Sequence, residues 1–290
     1  MRWLVLLLTG LALTSCGEKP LPANPALWRI NGPHGQRGWL FGTIHMLPRP
    51  LDWRTPKVDA ALAGSDRLVV EIAALDDDAA TARVFDHLAH RPGQPPLSAR
   101  VGPAERPALA ALLRQAGMND TQFANVQTWA AALMLAQAAE SHGDSPAQAK
   151  WGIDRALLRE TAGKPVAELE GAQRQLSLFA GLPERDQRAL LVAVVTGAAS
   201  TPAETRKLAE EWRSGNISSL ARETHEGMLA EPQLRDVLYV QRNRDWAGAI
   251  ASELAAGQHP FVAVGAAHMA GGDGLPALLT ARGFTVTRIE

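Results

Sequence analysis

Cysteine is nearly missing from this chain: it occurs once in 290 residues, at position 16. No disulfide can form within the chain, and no thiol pair is present to bind zinc. An excess of positive charge is also missing, since 29 Lys and Arg stand against 30 Asp and Glu. Nucleic-acid binding calls for a basic stripe, so nucleic acid is not expected as a partner. After residue 13 no apolar run is long enough to span a bilayer. The Gly-x-Ser-x-Gly elbow, the His-Glu-x-x-His helix and the phosphate-binding loop are all absent, which removes three common routes to hydrolysis or nucleotide binding. Tyrosine occurs once.

The remaining composition, 46% hydrophobic and 20% charged, is that of a folded protein able to bury a core. The first residues form a targeting segment. Arg2 supplies positive charge, Trp3 to Leu13 is apolar, and Leu13-Thr14-Ser15-Cys16 follows the bacterial lipobox pattern. Such a stretch is too short for a spanning helix and fits a signal peptide over residues 1–16. Lipidation of Cys16 would consume the chain's only thiol and anchor the protein to a membrane. The plainer alternative is a cleaved signal with an incidental cysteine. Gly17, rather than Asp, follows Cys16, which by resemblance to Gram-negative lipoprotein sorting leans towards the outer membrane, with the protein facing the periplasm. Residues 17–26 carry three prolines and are expected to form a tether. The folded domain is expected over residues 27–290.

Short β-branched or apolar runs predict strands at Leu27–Ile30, Trp39–Ile44, Arg67–Ile72, Pro165–Glu170, Phe261–Val264 and Phe284–Ile289. Helical stretches are expected at Thr128–Ser141, Gln148–Ala162, Glu184–Val195, Ala203–Ser214 and Gln233–Ala256. Strands at both ends and helices between them predict an α/β (α+β) fold: a central mixed sheet with flanking helices and a helical region over about 76–235.

Two segments echo each other. Phe41-Gly42-Thr43-Ile44-His45-Met46 matches Val264-Gly265-Ala266-Ala267-His268-Met269 in pattern. Each is a strand, a glycine, two residues, a histidine and a methionine. Between them, Glu71 and Glu170 also fall at strand ends. The carboxyl edge of an α/β sheet is where ligands bind. A glycine there permits a sharp turn or a close backbone approach, and a rigid strand presents the histidine that follows. Two histidines with carboxylates could hold zinc, manganese or iron, or without metal act as a general base on water. A single Gly-x-x-His is more often structural than catalytic; the case rests on two copies in matching contexts. His87 and His90, spaced i, i+3 on a helix, are read as a solvated face. Asp76-Asp77-Asp78 is read as a helix N-terminal cluster. Trp129, Trp212 and Trp246 are read as core anchors, and Trp151 could line a cleft. His34, His142, His225 and His259 have no evident partner.

These residues carry a resemblance. Leu27-Trp28-Arg29-Ile30, Leu40 to His45, Ala60 to Glu71, Gly152-Ile153-Asp154, Lys164 to Glu170, Gln175-Leu176, Trp212-x-x-Gly215, Arg242 to Trp246 and Phe261 to Gly274 together resemble the TraB/PrgY/GumN/TIKI family, in its GumN-like branch. Gly171 and Met269 depart from the residues usual there. The resemblance implies a fold distantly similar to erythromycin-esterase-like and ChaN-like proteins. It also implies a metal-dependent hydrolase, a peptidase of the TIKI type, using manganese, cobalt or zinc on a peptide or protein substrate. His45, Glu71 and His268 would bind the metal or activate water, with Glu170 as a further ligand or the general base. Asp154 would be another ligand, a binding residue or the general base. Arg242 would bind a substrate carboxylate or oxyanion, or else form an internal salt bridge to one of the acids. Asn243, Gly42 and Gly265 would complete the binding site. The alternative is a lipoprotein that binds and sequesters a peptide or small ligand without cleaving it. Esterase chemistry by His45 and Glu71 without metal is a third reading.

Overall fold

The computed structural model describes residues 20–75, 77–142, 148–161, 163–197 and 202–290. The signal segment and Cys16 lie outside the described residues.

Strand formation follows the sequence runs. The strands are β1 (Leu21–Pro22), β2 (Leu27–Asn31), β3 (Arg37–Thr43), β4 (Leu51–Asp52), β5 (Arg67–Val70), β6 (Val166–Glu168), β7 (Pro260–Gly265) and β8 (Thr285–Arg288). Six of them form one sheet in the order β6-β5-β7-β3-β2-β8. β6, β5, β7 and β3 run parallel, while β2 returns antiparallel to both β3 and β8. In β3 and β7 nearly every residue is buried. Unbroken burial is expected of parallel strands covered on both faces. The expected mixed sheet with flanking helices is therefore the observed architecture.

Alternation along the strands feeds two cores. Phe41, Leu68 and Phe261 face one side, against Val58 and Leu62 of helix Pro56–Gly64, Leu157 of helix Ile153–Glu160, and Trp212. Leu40, Val69 and Val262 face the other, against Trp246, Ile250 and Leu254 of helix Gln241–Ala255 and Leu275 of helix Leu275–Ala281. A third core lies wholly among helices, around Trp129, Phe123, Leu112 and Leu190. It accounts for most of the helical middle region, which strand β6 interrupts to rejoin the sheet. Arg100 ties this region together. It is 1% exposed, and its guanidinium donates to the carbonyls of Pro95, Phe123 and Val126.

Within the stretch expected as a tether, residues 17–26, the described part is fixed to the domain. Leu21–Pro22 pairs with Leu51–Asp52, and Ala23 and Ala26 are buried. Backbone bonds from Ala23 to Asp52 and from Asn24 to Arg213 fix this stretch to the domain. Prolines suit such a short edge pairing, where a missing N–H costs nothing. The expected helix Gln148–Ala162 begins later, at Ile153, after a 3₁₀ turn at Ala149–Trp151. The expected helix Gln233–Ala256 is three pieces, with a π-helical turn at Asp236–Val240 before Gln241–Ala255. Among the described residues no helix is long and apolar enough to cross a membrane.

Candidate functional site

The order of the sheet decides where the four strand-tip residues meet. Glu170, Glu71, His268 and His45 follow β6, β5, β7 and β3, which are four consecutive neighbours pointing the same way. Residues 99, 197 and 223 apart in sequence thus arrive side by side on one edge, the carboxyl edge where the loops of α/β sheets form a crevice.

His45 stands at the open end. Its side chain is exposed, at 66%. Nδ1 pairs with the carboxylate Oδ2 of Asp154, a residue itself largely buried. Gly152 makes this pairing possible. A Cβ there would lie 2.2 Å from the His45 carbonyl oxygen, so only glycine lets the two backbones approach. The Ile153 amide then donates to the carbonyl of Ile44, fixing the register. Dehydration opposes charging of the imidazole, but the hydrogen bond and charge of Asp154 outweigh it, aided by Glu71, and raise its pKa to about 9. Nε2 has no hydrogen-bond partner among the described residues.

His268 stands at the closed end. It sits on the 3₁₀ turn Ala266–Met269 and is buried. Its Nδ1 lies 2.6 Å from Asn243 Oδ1. Asn243 Nδ2 donates to the Asp273 carbonyl at 2.7 Å, so the amide oxygen must be the atom that faces the ring. Nδ1 therefore carries the proton, and Nε2 keeps its lone pair. Burial, with Arg242 and His45 nearby, lowers the pKa of this histidine to about 4 against the pull of Glu71. It is neutral at pH 7. Tyr239 stacks on one side at 5.4 Å between ring centroids, and Trp246 contacts the ring at 4.5 Å.

Between the histidine and the outer strands lies a buried ion cluster. Arg242 donates from Nε and Nη2 to Glu170 at 2.9 and 3.0 Å, and from Nη2 to Glu71 Oε2 at 2.9 Å. Its Nη1 reaches the Leu238 carbonyl and lies 3.5 Å from His268 Nε2. The guanidinium also packs over Trp246. Of the two readings of Arg242, the internal salt bridge is the one present, and it involves both acids. Glu71 Oε1 accepts the Gly265 amide at 2.7 Å. Burial works against ionising Glu71, yet the positive charges of His45 and Arg242, with that amide, hold its carboxyl below the usual range. Glu170 Oε1 accepts both Arg242 Nε and the Trp246 indole N–H, which uses its two lone pairs.

The two motif glycines differ. A Cβ on Gly42 would meet Ala266 Cβ at 2.9 Å, so Gly42 makes room for the turn that carries the other histidine. Its carbonyl accepts the Trp212 indole N–H at 2.9 Å. A Cβ on Gly265 would meet only ordinary contacts, at 3.4 Å or more.

The donor chemistry bears on a metal. Both imidazoles are held through Nδ1, by Asp154 and Asn243, the arrangement by which metal-binding histidines are oriented, although His268 Nε2 also faces Arg242 Nη1 at 3.5 Å. Glu71 Oε1 retains one lone pair after the Gly265 bond. These three residue types fit zinc, manganese or cobalt. Glu170 does not fit well, because Arg242 and Trp246 occupy it. Among the described residues no three or more His, Cys, Asp or Glu side chains are already gathered in ligand geometry, so binding would require the set to close in.

Sequence reasoning missed two contributors. Tyr239 was not singled out, and Trp246 was assigned to the core alone. Tyr239, Arg242, Asn243 and Trp246 line one side of the same helical segment, and the i, i+3, i+4, i+7 spacing was the available signal. Trp129 and Trp212 are core residues as read, at 0% and 2% exposure. Asp77 caps helix Asp78–Ala89 through the Ala80 amide; Asp76 lies outside the described residues. His87 and His90 sit on the last turn of that helix and its cap, and both are exposed. Trp151 is partly buried against the first core.

A family model described as TraB/PrgY/gumN matches residues 26–288 of this chain. The chain is 27% identical over 253 residues to an uncharacterized protein, YbaP, of Shigella flexneri, covering 86% of this chain and 90% of that protein. It matches the uncharacterized YbaP of Escherichia coli K12 to the same extent. No solved structure matches it.

Proposed function

The chain belongs to the TraB/PrgY/gumN family, and from that premise we propose that it is a metal-dependent hydrolase whose site is the carboxyl edge carrying His45, Glu71 and His268. The observation that carries this reading is the shared anchoring of the two histidines. Asp154 and Asn243 each take the Nδ1 side, leaving two Nε2 atoms beside one ionised carboxylate. His45 Nε2, His268 Nε2 and Glu71 Oε1 would hold the cation, which would polarise a scissile carbonyl and make bound water acidic. Arg242 holds the Glu71 and Glu170 carboxylates in place through charge-assisted hydrogen bonds. Asp154 orients His45 and Asn243 orients His268. The peptide class of substrate rests on the resemblance to TIKI-type proteins. In the same reading the protein is exported and lipid-anchored at Cys16, facing the periplasm from the outer membrane.

The test is metal analysis of protein purified without chelators, followed by digestion of a broad peptide library with and without manganese, cobalt and zinc. Stoichiometric metal and metal-dependent cleavage lost in His45→Ala are expected. Undiminished cleavage by metal-free protein or by His45→Ala would overturn the metal reading. One observation favours binding without turnover: Arg242 already engages both glutamates and lies beside His268 Nε2. Stoichiometric peptide binding with no cleavage under any metal would select it.

A further inference from the structure

Beyond the family's histidines and acids, the chain's single tyrosine is built into the site. Tyr239 lies in the π-helical turn Asp236–Val240, immediately before the segment that bears Arg242 and Asn243. Single π turns inside helices recur at functional sites, because they shift the side chains that follow onto a new face. Its hydroxyl donates to the Ala270 carbonyl at 2.7 Å and lies 3.2 Å from the Ala267 carbonyl. Those carbonyls flank His268 on either side. Its ring stacks on the imidazole with 22° between planes. Tyr239 thus holds the backbone turn and the ring of the same histidine. Arg235 continues the grip, packing over the Tyr239 ring and pairing with Asp273, whose carbonyl receives Asn243.

We propose that Tyr239 is the positioning residue of this site, fixing the plane and depth at which His268 presents Nε2. The proposal deepens the hydrolase reading, on which its kinetic consequence alone depends. Asn243 by itself sets the tautomer, but one hydrogen bond leaves the ring free to swing about the Nδ1–Oδ1 axis. The stacked tyrosine, together with the Trp246 ring packed against the imidazole, restricts that swing. The hydroxyl bonds prevent the whole turn from lifting away from the helix. An unsupported ligand side chain misplaced by about an ångström can cost orders of magnitude in rate.

The experiment compares Tyr239→Phe and Tyr239→Leu in full-length protein. The first keeps the stack and loses the hydroxyl; the second loses both. The first readout needs no turnover: ring ¹⁵N signals of His268 in ¹⁵N-histidine-labelled protein, identified by their loss in His268→Gln. The wild type is expected to show one sharp Nδ1–H tautomer, Tyr239→Phe a broadened one, and Tyr239→Leu a mixture of tautomers. Where cleavage is measurable, kcat should fall about 10-fold in Tyr239→Phe and about 100-fold in Tyr239→Leu, the range seen when residues supporting metal ligands are removed. KM should change little. Unchanged His268 signals in a folded Tyr239→Phe and Tyr239→Leu would overturn the proposal. Altered signals in a protein that cleaves nothing would uphold it while the hydrolase reading falls. If Tyr239→Leu does not fold, Tyr239→Phe alone decides.

Discussion

The two Gly-x-x-His-Met segments match in sequence pattern and differ physically in nearly every respect. His45 is open to solvent, backed by a carboxylate and raised to a pKa of about 9. His268 is buried, backed by an amide, packed against two aromatic rings and lowered to about 4. Gly42 is a space-maker for the opposite turn, whereas Gly265 offers its amide to Glu71. A short motif therefore fixes where a histidine stands on a strand tip, but its protonation and mobility are set by partners far away in sequence. Environments that push paired titratable groups apart are how one site obtains two roles from one residue type.

The strongest way to break this contrast is to remove the charge that both halves sense. Arg242→Met should cost about 3–5 kcal/mol in chemical denaturation, because Glu71 and Glu170 would be left buried without a counter-charge. Arg242→Lys should recover little of it, since an ammonium cannot form the bidentate bond to Glu170. A loss below about 1 kcal/mol for Arg242→Met would mean the cluster is not organised as described.

The glycines offer a smaller and asymmetric effect. Gly42→Ala should cost about 1–3 kcal/mol, because its methyl group would press on Ala266 Cβ and Cα, which cannot retreat. Gly265→Ala should cost less than about 1 kcal/mol. Equal losses would show that the two turns are equivalent after all.

The contrast also shows in pH dependence, which has opposite signs at the two ends of the site. For metal-free protein, the raised pKa of His45 contributes stability that is full below pH 6.5 and lost as pH rises towards 9. The lowered pKa of His268 contributes stability present above pH 6.5 and lost as pH falls towards 4. Solvent screening at His45 makes the alkaline slope the shallower one. Asp154→Asn should flatten the alkaline slope and leave the acid slope unchanged. Thermal denaturation from pH 4 to pH 9 measures both; flattening of the acid slope by Asp154→Asn would contradict the assignment.

Much of this site could be read before any fold was known. The strands around Leu40, Val69 and Val262 announce themselves by β-branched and apolar runs, and the chemistry falls at their ends, so His45, Glu71, Glu170 and His268 were visible as a set. The sheet order that makes them neighbours was not, because pairing such as Val69 with Val262 is settled by long-range packing. The pairing of His45 with Asp154 spans 109 residues and depends on Gly152, whose role appears only when the His45 carbonyl is seen against it. Tyr239 was hidden for another reason. The expected helix ran unbroken through it, and no propensity marks a π turn. Arg242 was legible as a functional residue, but its choice between substrate and internal acids needed both glutamates in place.

The most direct test of the central claim is calorimetric titration of metal-free protein with manganese, cobalt and zinc, comparing wild type with His45→Ala, His268→Ala and Glu71→Gln. If the two differently tuned histidines and the carboxylate beside them hold one cation, at least one metal binds the wild type at one equivalent and binds each variant at least about 10-fold more weakly. Equal affinity in wild type and all three variants, or no binding of any metal to the wild type, would contradict it.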